Sequence, residues 1–250
     1  GGAVVPVDPQ PDLTHRPEDV IAAMERSQAP LAVVCTPNNP TGDAFTADAL
    51  RAMAEAAPGF LLIDEAYVEF QEGPTALDLL RELPQTIVMR TFSKAMGMAQ
   101  LRLGYLLAHP DAIAEIEKAR LPFLVDRLSE AAGIAMLEQE GLVRERARQL
   151  SAERERVVAA LREREAVEVV PSSANFFILR TPLEAATLQE RLLREGVRVR
   201  NVSGYPALSG GADGPGRGRF ETGWVRVSVG TPDENSTFLA ALDRVLAPAP

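Results

Sequence analysis

Cysteine, histidine and lysine are all scarce in this 250-residue chain, and each scarcity closes off a class of chemistry. A single cysteine, Cys35, rules out an internal disulfide framework, and its place at the end of the apolar run LAVVC reads as a buried strand position. Two histidines, His15 and His109, added to that one thiol offer no zinc-type ligand set, so no metal is expected. No apolar run is long enough to cross a bilayer and nothing at the start resembles a signal segment, which makes the cytoplasm the expected compartment. A formal charge of −9 disfavours nucleic acid and anionic membranes as partners.

Lysine is the most informative shortage. Of 26 basic residues only Lys94 and Lys118 are lysines, leaving 24 arginines. Arginine supplies charge but cannot form an imine, so a lysine inside a polar cluster stands out in this chain.

What is present is a regular alternation in the first half. Strand-like runs at residues 3–7 (AVVPV), 31–35 (LAVVC), 60–64 (FLLID), 86–90 (TIVMR) and 103–108 (LGYLLA) alternate with helical patterns at 17–26 and 47–56. Several runs are continuously apolar, as strands covered on both faces are, and the class they indicate is α/β with a mostly parallel sheet. Beyond His109 the character changes. Helical patterns at 111–119, from 126, and in a charged stretch at 143–164 lead to strand-like runs at 167–170, 175–180, 197–200 and 224–230, with helices at 183–195 and 233–246. The division expected is a larger α/β domain over 1–125 and a smaller α+β domain over 126–250, with the long helix near the boundary. The Gly-rich stretch 209–223 lacks a strand-to-helix setting and reads as a surface loop.

Three polar motifs follow strands of the first domain: CTPNNPTG at 35–42, DEAY at 64–67 and RTFSKAMGMAQLRLGY at 90–105. Ligands of open α/β sheets bind beyond the carboxyl ends of the strands, so the three should converge on one crevice. Each alone is ambiguous: NNPTG is also a turn signal, and a lysine after serine can be a solvated residue. Together, in this order, they resemble the fold-type I, class I/II pyridoxal-phosphate aminotransferases. With PSSANFFILR at 171–180 added, the chain is most similar to the histidinol-phosphate aminotransferase branch of that family.

The resemblance implies pyridoxal 5'-phosphate as cofactor and Lys94 as both its covalent anchor and the general acid/base of catalysis. It assigns Asp64 to the pyridine nitrogen, Tyr67 and Asn39 to the ring 3′-oxygen, and Thr91, Ser93 and Arg102 to the phosphate. Ser93 could instead cap a local turn. Arg226, charged in the apolar strand WVRVSVG, matches the family's α-carboxylate arginine; a buried salt bridge is the alternative. Asn175 matches a position on the substrate side or simply closes a turn. Arg200 matches the arginine near a substrate phosphate or is a solvated strand end.

The function implied is reversible amino transfer between histidinol phosphate and 2-oxoglutarate/glutamate in histidine biosynthesis, by a homodimer. An aromatic amino-acid aminotransferase, a threonine-phosphate decarboxylase and a catalytically silent cofactor-binding protein are the alternatives. Relatives carry an earlier region with further phosphate-binding and ring-stacking groups, so the sequence is expected to be a fragment with little activity of its own. Phe123 in LPFLV replaces a common tyrosine and removes a hydroxyl donor.

Overall fold

A computed structural model describes residues 2–71, 75–209 and 219–247. The chain divides into two compact units. The first comprises the start of the chain to Val7, Arg16–Asn38 and Ala44–Ala147; the second comprises Asp8–His15, Asn39–Asp43 and the chain from Arg148 onward.

The first unit is built on a four-stranded sheet. Its helix α1 (Pro17–Ser27) starts with proline at the first helical position, where no backbone donor is lost. Strand β1 (Leu31–Cys35) follows, then α2 (Ala47–Ala56), whose Thr46 Oγ1 accepts from the Ala49 N–H and whose Leu50, Met53 and Ala54 are buried at helical spacing. β2 (Phe60–Asp64) lies parallel to β1, with Cys35 opposite Asp64. β3 (Thr86–Thr91) is parallel to β2, and β4 (Gly104–Ala108) returns antiparallel with Gly104 opposite Thr91. The order is β1-β2-β3-β4, so the sheet is mostly parallel, as expected. Leu61, Ile63 and Val88 from it pack with Met24, Leu50 and Met53 into one core. Three helices follow: α3 (Pro110–Glu117), α4 (Arg127–Leu137, capped by Asp126) and α5 (Glu140–Arg162).

The second unit holds an antiparallel sheet, β5 (Glu168–Val169), β6 (Phe176–Arg180), β7 (Arg200–Asn201) and β8 (Val225–Ser228), in the order β5-β6-β8-β7. Helices α6 (Ala185–Arg194) and α7 (Pro232–Leu246) complete it, making it α+β. Phe177, Leu179, Val225 and Val227 pack against Val157 and Leu161 of α5, Leu188 of α6 and Leu242 of α7.

The strand expected at residues 3–7 does not form. Val4 and Val5 are 88% and 55% exposed, and Pro6 removes a ladder donor in the middle of the run. The run at 197–200 joins the sheet only through Arg200 and Asn201. Compactness changes hands at Ala147/Arg148, inside α5, whereas the change in sequence character falls at 125/126; α4 and the first turns of α5 sit with the α/β sheet. Of the Gly-rich stretch, residues 210–218 lie outside the described residues. Among the described residues no helix is long and apolar enough to cross a membrane, and no three His, Cys, Asp or Glu side chains gather as a metal site.

Candidate active site

Parallel pairing of β2 and β3 places their carboxyl ends on one edge of the sheet, and the antiparallel β4 begins on that same edge. Asp64 closes β2 and Thr91 closes β3. Ser93, Lys94 and Arg102 lie on the connection from β3 to β4. That connection is a succession of tight turns. Ser93 N–H donates to Thr91 Oγ1 at 3.1 Å, Gly97 N–H donates to the Lys94 carbonyl at 2.9 Å, and Met98 N–H donates to the Phe92 carbonyl at 2.9 Å. Gly97 sits at φ +70, a conformation that strains any residue with a Cβ. A short 3-10 turn, Ala99–Leu101, ends at Arg102, which adopts φ +50 and donates from Nη1 to the Ala99 carbonyl at 3.0 Å. Asp64, Thr91, Ser93, Lys94 and Arg102 line one cleft of 930 Å³, with Leu124 and Val125 supplying apolar wall.

Tyr67, 5% exposed, lies beneath the lysine: Lys94 Nζ is 5.2 Å from the centre of its ring, within cation–π range. Asp64 Oδ1 accepts the Ala66 N–H at 3.0 Å. Burial pushes the Asp64 carboxyl above its ordinary range, against the smaller opposing pulls of the Ala66 N–H and the Lys94 charge. An amine, a half-buried carboxyl group and a hydroxyl–guanidinium set at one edge are suited to a carbonyl carbon, a protonatable nitrogen and an anion. Of the residues singled out in the sequence, six are therefore brought together in this unit: Asp64, Tyr67, Thr91, Ser93, Lys94 and Arg102.

Residues without an assigned role in the sequence stand directly behind them. Glu65 is 1% exposed, accepts the Ala76 N–H at 2.6 Å, and takes two bonds from Arg90, at 2.9 Å from Nε and 2.7 Å from Nη2. Burial works against the charge on Arg90, but the charge and hydrogen bonds of Glu65, with Tyr105 adding to them, leave its pKa raised. Arg90 and Tyr105 face each other across β3 and β4, and both line the cleft. Burial also raises the Glu69 carboxyl, whose Oε2 is buried without a hydrogen-bond partner. The signal available in sequence was the second acidic residue of DEAY and the arginine opening RTFSK.

Four further candidates belong to the second unit. The NNPTG turn is tight there: a Cβ on Gly42, which sits at φ +78, would fall 2.0 Å from Ser172 Oγ. Asn39 Oδ1 accepts from Arg226 Nη1 at 2.7 Å. The Arg226 guanidinium lies 5.0 Å from the Phe176 ring, and its Nε is buried without a partner. Among the described residues Arg226 has no ion-pair partner, so the internal salt bridge weighed for it is not formed. Arg200 of β7 stands directly opposite Arg226 of β8, and the two line a cleft of 630 Å³ with Arg198 and Ser228. Like charges so placed repel unless an anion or solvent lies between them. Asn175 precedes β6, and its carbonyl accepts the Val229 N–H at 2.9 Å.

Comparison with known proteins adds three findings. A family model described as aminotransferase class I and II matches residues 1–242. A histidinol-phosphate aminotransferase of Chlorobaculum tepidum is 37% identical over 242 residues, covering 97% of this chain and 66% of the relative. Among solved structures, histidinol-phosphate aminotransferase from Sinorhizobium meliloti, in complex with pyridoxal-5'-phosphate, superposes with a TM-score of 0.82 at 28% identity over 98% of this chain and 65% of that one. L-threonine-O-3-phosphate decarboxylase from Porphyromonas gingivalis gives 0.76 at 26% identity, covering 93% of this chain and 69% of that one. The chain thus spans just under two thirds of the length of the first two relatives.

Proposed function

Because the chain belongs to the aminotransferase class I and II family, we propose that it carries the lysine-bearing part of a pyridoxal-phosphate-dependent transaminase acting on histidinol phosphate with 2-oxoglutarate. The observation that carries the reading is Lys94, its amine over the Tyr67 ring in the cleft that Asp64 also lines. The residues fit the cofactor. Lys94 would bond to its aldehyde carbon, Asp64 would hold a proton at the ring nitrogen, and Thr91, Ser93 and Arg102 would hold the phosphate. Tyr67 would donate to the ring 3′-oxygen; Asn39 is assigned the same oxygen from its motif alone.

Pyridoxal phosphate, when bound, supplies the electron sink for charge released at the substrate α-carbon. The chain's own residues do the rest. Lys94 would anchor the cofactor and, with its amine free, would serve as the acid/base that takes up and delivers the proton at the substrate α-carbon. Asp64, when ionised, would favour the protonated form of the ring nitrogen. Arg226 would bind the α-carboxylate of glutamate or 2-oxoglutarate, with its unpartnered Nε available for a second bond. Arg200, facing it, would meet the substrate phosphate, and Asn175 would border the substrate.

Self-association as a homodimer is proposed with this function. It is supported by apolar residues of the first unit left in solvent, Phe123 at 100%, Leu128 at 80% and Leu121 at 70% exposure.

The test is a substrate panel read by absorbance in half-reactions. Conversion of bound cofactor to the pyridoxamine form by histidinol phosphate supports the reading. Carbon dioxide release from threonine phosphate replaces it with a decarboxylase, and conversion only by aromatic amino acids replaces the substrate.

A further inference from the structure

Three acidic residues crowd one strand end, and only one of them has a proposed part in the chemistry. Asp64 and Glu65 are adjacent at the end of β2, and Glu69 follows on the short 3-10 turn Val68–Phe70. Glu65 points into the protein, 1% exposed, and both of its oxygens are used: one by the Ala76 N–H, the other by two donors of Arg90. Arg90 is the residue before Thr91, on the strand that leads to Ser93 and Lys94, and its side chain is 15% exposed. Main-chain bonds tie the same two strand ends, with Glu65 N–H donating to the Met89 carbonyl at 2.9 Å. The pair therefore bolts the residue after Asp64 to the residue before Thr91.

We propose that Arg90, clamped by Glu65, is a positioning residue for Asp64: it neutralises the neighbouring carboxylate and fixes the two strand ends, leaving Asp64 as the working anion of the cleft. This rests on the reading of Asp64 as the partner of the cofactor ring nitrogen. Of the charged and titratable groups at this strand end, Lys94 acts on the Asp64 carboxyl, Arg90 and Glu65 act on Glu69, and Glu65 and Tyr105 act on Arg90; Glu65 is the residue adjacent to Asp64 in the chain. Without Arg90, Glu65 would be a second, unbalanced negative charge behind Asp64. Without Glu65, Arg90 would be an unbalanced positive charge bordering the cleft. The two losses must act on Asp64 in opposite directions, which loosened packing would not do.

The experiment follows the Asp64 carboxyl by carbon NMR through a pH titration of the cofactor-free chain, in the unaltered protein, Glu65→Gln, Arg90→Gln, the double variant and Arg90→Lys. Glu65→Gln keeps the shape and an acceptor for the Ala76 N–H, so it is the variant best able to fold. Expected is a proton affinity at Asp64 lowered about tenfold in Glu65→Gln and raised about tenfold in Arg90→Gln. The double variant should return close to the original value, and Arg90→Lys should stay near it. In a parallel arm, pyridoxal phosphate affinity should fall in Arg90→Gln and recover in Arg90→Lys. An Asp64 titration unmoved in Glu65→Gln, or moved the same way by both single changes, overturns the proposal. Failure of the unaltered chain to bind the cofactor would instead count against the function, with the titration still deciding the charge relationship.

Discussion

At Lys94, arginine would keep a positive charge over the Tyr67 ring and remove the amine proposed to bond to the cofactor and move the proton. Lys94→Arg is therefore expected to retain the fold, lose the covalent absorbance band and lower turnover by at least about a thousandfold, as loss of both nucleophile and acid/base implies. Arg226→Lys keeps charge but loses the planar fork for a carboxylate; kcat/KM for glutamate should fall about tenfold or more while the cofactor band remains. Asp64 adds a pH signature. Its carboxyl is raised by burial, so the ionised form is the one penalised in the folded chain. Its contribution to stability is fully present below the unfolded value near 3.8 and is lost as pH rises through the higher folded value. Asp64→Asn should thus be at least as stable as the original at pH 7, with the difference shrinking as pH falls towards 4, while cofactor affinity drops. Thermal unfolding at both pH values checks this. Lys94, Asp64 and Arg102 were legible as candidates because the motifs that hold them, DEAY and SK followed by LRLGY, resemble those of the family, and all three line one cleft. The Glu65–Arg90 pair was not legible: a carboxylate and an arginine 25 positions apart give no local sign that they meet.

At the level of elements, helices were read well where caps and apolar spacing agree. Thr231 opens α7 with a full capping box, its hydroxyl accepting the Glu234 N–H while the Glu234 side chain accepts the Thr231 N–H. Thr231→Ala should cost about 1 kcal/mol in chemical denaturation. Leu161 of α5 has 0% exposure within the second core, and Leu161→Ala should cost about 2–5 kcal/mol. Strands were read less evenly. FLLID and TIVMR form because each finds a neighbour on the sheet, whereas AVVPV has the right composition and no pairing, and VRVR pairs over only its last residue and the next. Strand propensity records fitness for a half-buried surface, not the presence of one.

For the whole molecule, the sequence change near residue 125 and the division into compact units at 147/148 mark different things. Composition shifts where the strands give way to helices, but α4 still packs on the first unit: Ser129 Oγ donates to the Leu101 carbonyl at 3.2 Å, and Gly133 leaves no room for a Cβ beside Leu103. The excursions of residues 8–15 and 39–43 into the second unit depend on contacts distant in sequence, such as His15 N–H to Asp43 at 2.7 Å, and could not be read from pattern. The exposed apolar residues of the first unit give a prediction at this scale. If they meet a second copy, Leu128→Asp should weaken self-association at least about tenfold in sedimentation, with little change in thermal stability of the single chain.

The central claim is that Lys94 is the covalent anchor, and the chain's shortage of lysine makes the test simple. The protein is incubated with pyridoxal phosphate, reduced with borohydride, digested and mapped. Label at Lys94, absent from Lys118, is the predicted result; label at Lys118 alone, or at neither lysine, would contradict it.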